Sequence, residues 1–342
     1  MESKKKEYKN ILIIKMSSLG DILHTLPSVA VLRKCFPKAR LTWLVHPQFS
    51  AFVPDPPMVD EVIYFDKVKF NKMDLAEKWS YFKEIRTLLH SKKFDLVIDM
   101  HGLFKSAVLA AISGCDNRIG FCEMWEGSGL VSKPIRGQHA KGHAIEQYLD
   151  VVRYLGCTVD EISFPMPDLQ KEWQSVQEIT EAVNEPYVVL VPGARWDTKI
   201  WPTERFAKLG EMILRDGKQV VVAGGPEDVS LGVQITKLVP GITDLTGKTS
   251  LRELGALIQR CTVYISADTG PLFIAAAMKK PSIALYGPTR PDRTGPYESE
   301  DTVVLTSPVP CAGCLKRHCG HWTCMQSITP EMVFKEYKKK II

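Results

Sequence analysis

No apolar run in these 342 residues approaches the roughly 20 needed to cross a bilayer. The opening residues Met1-Glu2-Ser3-Lys4-Lys5-Lys6-Glu7 also lack the apolar segment of a secretory signal, so the expectation is a cytoplasmic chain. Neither half carries the Gly-x-Gly-x-x-Gly fingerprint, which argues against a dehydrogenase. There is no basic stripe interleaved with aromatics and no recognised nucleic-acid motif, so nucleic acid is not expected as a partner. Charge is modest, at +5 net, and 45% hydrophobic with 24% charged residues is ordinary for a globular protein. The lysines collect at the ends, at Lys4, Lys5, Lys6 and Lys9 and at Lys335, Lys338, Lys339 and Lys340. Such clusters are either solvated surface or a means of staying near an anionic membrane face or substrate. Nine cysteines in a reducing compartment argue against a disulfide framework. Five are scattered, whereas Cys311, Cys314, Cys319 and Cys324 fall within fourteen positions, with His318 and His321 among them.

What is present is β/α alternation, written twice. The run Ile11-Leu12-Ile13-Ile14 is apolar at every position, the mark of a strand buried on both faces, and it enters the polar turn Lys15-Met16-Ser17-Ser18-Leu19-Gly20-Asp21 before an amphipathic helix over 22–35. Further strands are expected at 41–45, 61–64 and 96–99, with helices near 75–91, 105–112 and 144–155. The stretch Ser163-Phe164-Pro165-Met166-Pro167-Asp168 interrupts the pattern, because alternate prolines fit neither a helix interior nor a central strand. The alternation then restarts, with strands at 187–191, 219–223, 263–266 and 282–286 and helices near 203–215, 228–238, 251–259 and 271–278. The reading is α/β: two Rossmann-like, doubly wound parallel-sheet domains, 1–165 and 166–342, facing a cleft, with a final helix near 330–340 expected to pack back on the N-terminal half.

Candidate chemistry lies in the loops after the strands. Asp21 is positioned to act as a base toward a neutral hydroxyl, since a carboxylate there would repel phosphate; it also suits the N-cap of the helix. After the strand ending at Val191, Gly193 permits close backbone approach, and Arg195 and Lys199 offer cations. Gly224-Gly225-Pro226-Glu227-Asp228 brings two carboxylates. In Asp268-Thr269-Gly270-Pro271 the amides of Thr269 and Gly270 at a helix start suit a diphosphate, and Asp268 suits a ribose hydroxyl.

In order along nearly the whole chain, Lys15-x-Ser17-Ser18-Leu19-Gly20-Asp21, Leu23-His24-Thr25-Leu26-Pro27, Asp99-x-His101-Gly102-Leu103-x-Lys105-Ser106, His143-Ala144-x-Glu146, Lys199-x-Trp201-Pro202, Gly224-Gly225-Pro226, Asp268-Thr269-Gly270-Pro271 and Gly287-Pro288-Thr289 resemble the ADP-heptose:lipopolysaccharide heptosyltransferase family, glycosyltransferase family 9. The resemblance implies a GT-B fold and metal-free, inverting transfer of heptose from ADP-heptose to the lipopolysaccharide inner core, at the cytoplasmic face of a membrane. Asp21 then resembles the base and Lys199 the lysine facing the donor diphosphate. Arg195, Glu227, Asp228, Asp268, Thr269 and Gly270 fall on the donor side; Ser18, Gly20, His101, Gly102 and Lys105 fall on the acceptor side. Phe273 departs from the family, which often has histidine there, and a phenyl ring donates nothing to a phosphate oxygen. Alternatives are a GT-B transferase with another nucleotide-sugar or a protein acceptor, and a non-catalytic nucleotide-sugar-binding protein. Cys311, Cys314, Cys319 and Cys324 are candidate ligands for a structural zinc or iron, although the x4 spacings fit no standard zinc module and free cysteines also serve as small hydrophobes.

Overall fold

The computed structural model describes residues 7–180, 183 and 186–341. The chain folds as two compact units, one ending at Pro167 and the other beginning at Asp168. The lysines at 4–6 lie outside the described residues. Among the described residues, no helix is long and apolar enough to cross a membrane.

In the first unit the strands are β1 (Asn10–Ile14), β2 (Arg40–Val45), β3 (Glu61–Tyr64), β4 (Leu96–Asp99), β5 (Arg118–Gly120) and β6 (Lys133–Pro134), and the helices α1 (Leu19–Cys35), α2 (Lys67–Lys72), α3 (Leu75–Ser91), α4 (Phe104–Ile112) and α5 (Ala144–Tyr154). The sheet is parallel, in the order β3-β2-β1-β4-β5-β6. Ile13 pairs with Trp43 on one side and Ile98 on the other, and Ile11 to Ile14 are wholly buried. Burying a side chain of this kind contributes about 1.5–3 kcal/mol, so this strand anchors the sheet. Between β1 and β4 the strand order reverses, and the crevice beyond the strand ends at such a point is where open α/β sheets bind ligands.

Two cysteines that the sequence reading left reduced are joined. Cys35, the last residue of α1, forms a disulfide with Cys157, just past α5. The cause is tertiary: α1 and α5 pack together, which brings their C-terminal ends side by side.

The second unit contains β7 (Tyr187–Val191), β8 (Gln219–Gly224), β9 (Thr243–Thr246), β10 (Val263–Ala267), β11 (Ser282–Tyr286) and β12 (Thr302–Thr306), with α6 (Gln170–Ile179), α7 (Thr203–Arg215), α8 (Val229–Leu238), α9 (Leu251–Arg260), α10 (Gly270–Ala277), α11 (Pro291–Thr294), α12 (Thr323–Gln326) and α13 (Pro330–Lys340). Its parallel sheet runs β12-β11-β10-β7-β8-β9, so its reversal falls between β7 and β10. Helix α13 seats on α7 and β11, with Val333 and Tyr337 buried in this unit's own core and Tyr337 donating to Asp216 at 3.3 Å. Its apolar face thus contributes to the core of the second unit.

Candidate active site

In the first unit the residues after β1 and β4 form one charged network. Lys15 follows β1 and is 3% exposed, so its charge needs partners. Its ammonium donates to the Met100 carbonyl at 2.8 Å and the Tyr148 hydroxyl at 2.6 Å, and lies 4.7 Å from the Tyr148 ring centroid. Burial works against that charge, but Tyr148, Asp21 and Asp99 together raise Lys15 above the usual lysine value. Asp99 ends β4 and is buried; it accepts from the amides of His101 and Gly102, each at 2.9 Å, and from Ser106 Oγ at 2.8 Å. It therefore shapes the turn that carries the candidate acceptor residues. Burial raises its carboxyl against those hydrogen bonds.

Asp21 is not the N-cap of α1. Ser18 is, and Asp21 sits at the third helical position, reaching back so that its Oδ2 accepts from both Ser18 N and Ser18 Oγ at 2.8 Å. Its Oδ1 lies 3.8 Å from Lys15 Nζ, and 41% of the side chain remains exposed. Burial pushes the carboxyl upward, but Lys15 and the two Ser18 hydrogen bonds outweigh it and hold Asp21 below the usual carboxylate range. The candidate base thus closes the capping box from the third helical position, while Ser18 is the cap. Gly20 is buried in the same turn.

His101 is brought to this network. Burial, followed by the Lys15 charge, lowers it to about 4, so its ring is neutral near pH 7. Gly102 has φ +71°, and a Cβ there would lie 2.5 Å from the Glu123 carbonyl oxygen, so only glycine fits the turn. Lys105 stands apart, exposed on the first turn of α4. Hydrogen bonding to the Lys67 amine lowers its pKa, which marks two cationic side chains held together. Lys15, Tyr148 and Lys67 carry roles that the sequence reading did not assign. Lys15 had a local signal, an unexplained lysine directly after an all-apolar strand. His24, packed edge-to-face with His143 at 5.4 Å, is pushed down to about 3, by burial first and then by His143.

The second unit repeats the placement at its own reversal. Lys199, after β7, pairs with Asp268, after β10, at 2.7 Å. The Tyr286 hydroxyl donates to the other Asp268 oxygen at 3.5 Å, and burial raises that phenol's pKa. Thr269 is the N-cap of α10 and Gly270 its first residue, so their amides lie at the helix start. Arg195 is exposed on the Lys199 loop. Of the two carboxylates in the β8 loop, Glu227 is exposed, whereas Asp228 turns inward and accepts from the Gly225 amide at 2.9 Å. Burial raises the Asp228 carboxyl. A Cβ on Gly193 would lie 1.8 Å from Asp228 Oδ1, so the room that the sequence reading kept for a ligand is filled by this carboxylate. Phe273 is buried, at 9% exposure.

Cys311 and Cys314 are exposed, Cys319 is half-buried and Cys324 is buried. The amides of His321 and Trp322 lower the Cys319 thiol, while burial raises Cys324. Among the described residues, no group of three or more histidine, cysteine or acidic side chains is placed to hold a metal ion. The segment has another role. Thr198 Oγ1 donates to the Lys316 carbonyl at 2.9 Å, and Trp322 Nε1 donates to the Thr198 carbonyl at 3.1 Å, tying the segment to the Lys199 loop.

Residues 82–323 match the model of glycosyltransferase family 9 (heptosyltransferase). Lipopolysaccharide heptosyltransferase 1 of Pseudomonas aeruginosa is 28% identical over 91% of this chain and 87% of its own length. Among solved structures, a family 9 glycosyl transferase of Veillonella parvula superposes with a TM-score of 0.82 at 24% identity, covering 98% of each chain. The E. coli ADP-heptose lps heptosyltransferase II gives 0.78 at 23% identity, over 97% of this chain and 98% of that one.

Proposed function

Because the chain belongs to glycosyltransferase family 9, the heptosyltransferases, we propose that it moves a heptose from ADP-heptose to a sugar hydroxyl of the lipopolysaccharide inner core, inverting the anomeric carbon. It is a glycosyltransferase of two Rossmann-like domains. The observation that carries the reading is the Asp21 carboxylate at the β1–β4 reversal, with one oxygen tied to Ser18 and the other turned toward Lys15 and solvent. The acceptor O–H adds to the anomeric carbon as the bond from that carbon to the phosphate oxygen breaks. The hydroxyl proton passes to Asp21, and the electron pair of the broken bond leaves on ADP. A carboxyl held low stays ionised near pH 7, ready to take that proton. Negative charge growing on the diphosphate meets Lys199, Arg195 and the amides of Thr269 and Gly270. These protein groups supply the charge stabilisation, so turnover survives chelators; its loss in EDTA would refute that part. On the acceptor side, His101 and Gly102 line the turn, and the Lys67–Lys105 pair suits an acidic group of the core.

Asp21→Asn tests the reading. Asparagine still accepts the Ser18 hydrogen bonds, so the helix start is kept. Turnover should fall about 10²–10⁴-fold with ADP affinity within a few fold, since a positioned base contributes about that much. Normal turnover in a folded variant refutes the mechanism.

The lipid acceptor also argues for peripheral contact with an anionic membrane. On the first unit Leu75 is 86%, Trp79 71% and Val68 52% exposed, beside exposed Lys67, Lys69 and Lys72. Apolar side chains with flanking lysines suit the interface of an anionic bilayer. Leu75→Ser/Trp79→Ser should lower co-sedimentation with phosphatidylglycerol vesicles, and unchanged binding counts against this face.

A further inference from the structure

The donor reading leaves a deficit of positive charge. Lys199 is the cation expected to face the diphosphate, yet it is paired with Asp268 at 2.7 Å, so that pair presents no net charge. Phe273, in the first turn of α10, is buried and has no hydrogen-bond donor to offer a phosphate oxygen. With Lys199 neutralised, Arg195 alone would face a dianionic or trianionic diphosphate, which calls for a further cation.

We propose that Trp196 and Arg317 complete the diphosphate site, with the Trp196 indole as a shelf that positions two cations and Arg317 as the residue that touches the phosphates. The Lys199 ammonium lies 4.5 Å from the Trp196 ring centroid and the Arg317 guanidinium 4.9 Å from the same ring. The two charges are therefore within about 10 Å of one another, about one Debye length at 0.1 M salt. Arg317 has no carboxylate partner among the described residues, so its charge is available in a way that Lys199's is not. A guanidinium over an indole ring is a favourable cation–π placement, and it leaves N–H groups free for phosphate oxygens.

Arg317 is not on a loose loop. Its neighbour Lys316 has its carbonyl bound by Thr198 Oγ1 at 2.9 Å; the Leu315 amide donates to the Pro288 carbonyl at 2.7 Å and the Gly313 amide to the Gly287 carbonyl at 2.9 Å. Trp322 Nε1 closes the other side at the Thr198 carbonyl. The cysteine-bearing segment is thus stitched to the loops after β7 and β11, and the residue it delivers beside Lys199 is an arginine. This gives the segment a task that needs no metal.

The inference rests on the donor reading above, and calorimetry with ADP and with adenosine separates the two. If the wild-type chain binds no ADP, both fall. If it binds ADP, Arg317→Ala should weaken ADP about tenfold while leaving adenosine affinity unchanged, because the lost contact is charge-assisted and lies at the phosphates. Arg317→Lys should recover part of that loss. Trp196→Leu should lower the ADP-to-adenosine affinity ratio in the same sense, a change that a purely structural role for the indole would not produce. Arg317 is exposed, so its variants should melt as the wild type does. Wild-type ADP affinity in folded Arg317→Ala overturns the inference, and an equal loss for ADP and adenosine does so as well.

Discussion

Replacing Lys15 by methionine isolates what sets the acid limit of the reaction. Methionine keeps an unbranched side chain in the buried channel but removes the charge 3.8 Å from Asp21. Two unit charges at that distance interact by about 1 kcal/mol in water and about 4 kcal/mol at an effective dielectric of about 20. With 41% of the Asp21 side chain in solvent, screening puts the pair toward the lower figure, about 1–2 kcal/mol, or about one pH unit. The sign is definite. Asp21 is held below the usual carboxylate range, so its ionised form is lost only as the pH falls through that depressed value. Without Lys15 the strongest remaining influence is burial, which pushes the carboxyl up. The acid limb of kcat/KM should therefore move to higher pH by about one unit. ADP release measured by chromatography from acid to neutral pH reports the limb, with Asp21→Asn confirming whose it is. Met100 and Tyr148 lose their donor, so a stability loss of about 1–3 kcal/mol is expected, and near-UV circular dichroism marks the range over which the variant is folded. An unmoved limb in folded Lys15→Met refutes the electrostatic account of Asp21.

Lys199→Ala should weaken ADP binding and lower turnover together, since it removes a cation and exposes Asp268 to the diphosphate; pairing it with Asp268→Asn should restore part of the ADP affinity measured by calorimetry. Gly193→Ala should cost about 1–3 kcal/mol, because its Cβ meets Asp228, and Asp228→Ala in the same chain should recover most of it; a wild-type Tm for the single variant contradicts the packing described. Cys35→Ala should lower stability to urea by about 2–4 kcal/mol relative to the oxidised chain, as the bond closes a separation of 122 residues. Equal midpoints for the variant and the oxidised wild type would show that the bond contributes nothing.

The central strands and their helices were legible in the sequence because their physics is local. Ile11 to Ile14 and Val188 to Val191 are apolar at every position because both faces are buried, and α7 and α9 carry the 3.6-residue period, whereas α1, expected to be amphipathic, is buried on nearly every face. Strands β5, β6, β9 and β12 went unread: they are short or partly polar and toward the sheet edges, where one side lacks neighbours that would demand apolar residues. Candidate chemistry was legible residue by residue, since Asp21, Lys199 and Asp268 all lie in the segments that lead from a strand into the next helix. What each of them touches was not. Lys15 meets Tyr148 across 133 positions, Lys199 meets Asp268 across 69, and Cys35 meets Cys157 across 122. Local pattern records which face of an element is buried, whereas strand order and helix packing decide which distant side chains share a site. By itself the sequence determined two parallel α/β units and the residues at their strand ends; only the tertiary structure paired Lys199 with Asp268, filled the space beside Gly193 with Asp228, and set Arg317 on Trp196.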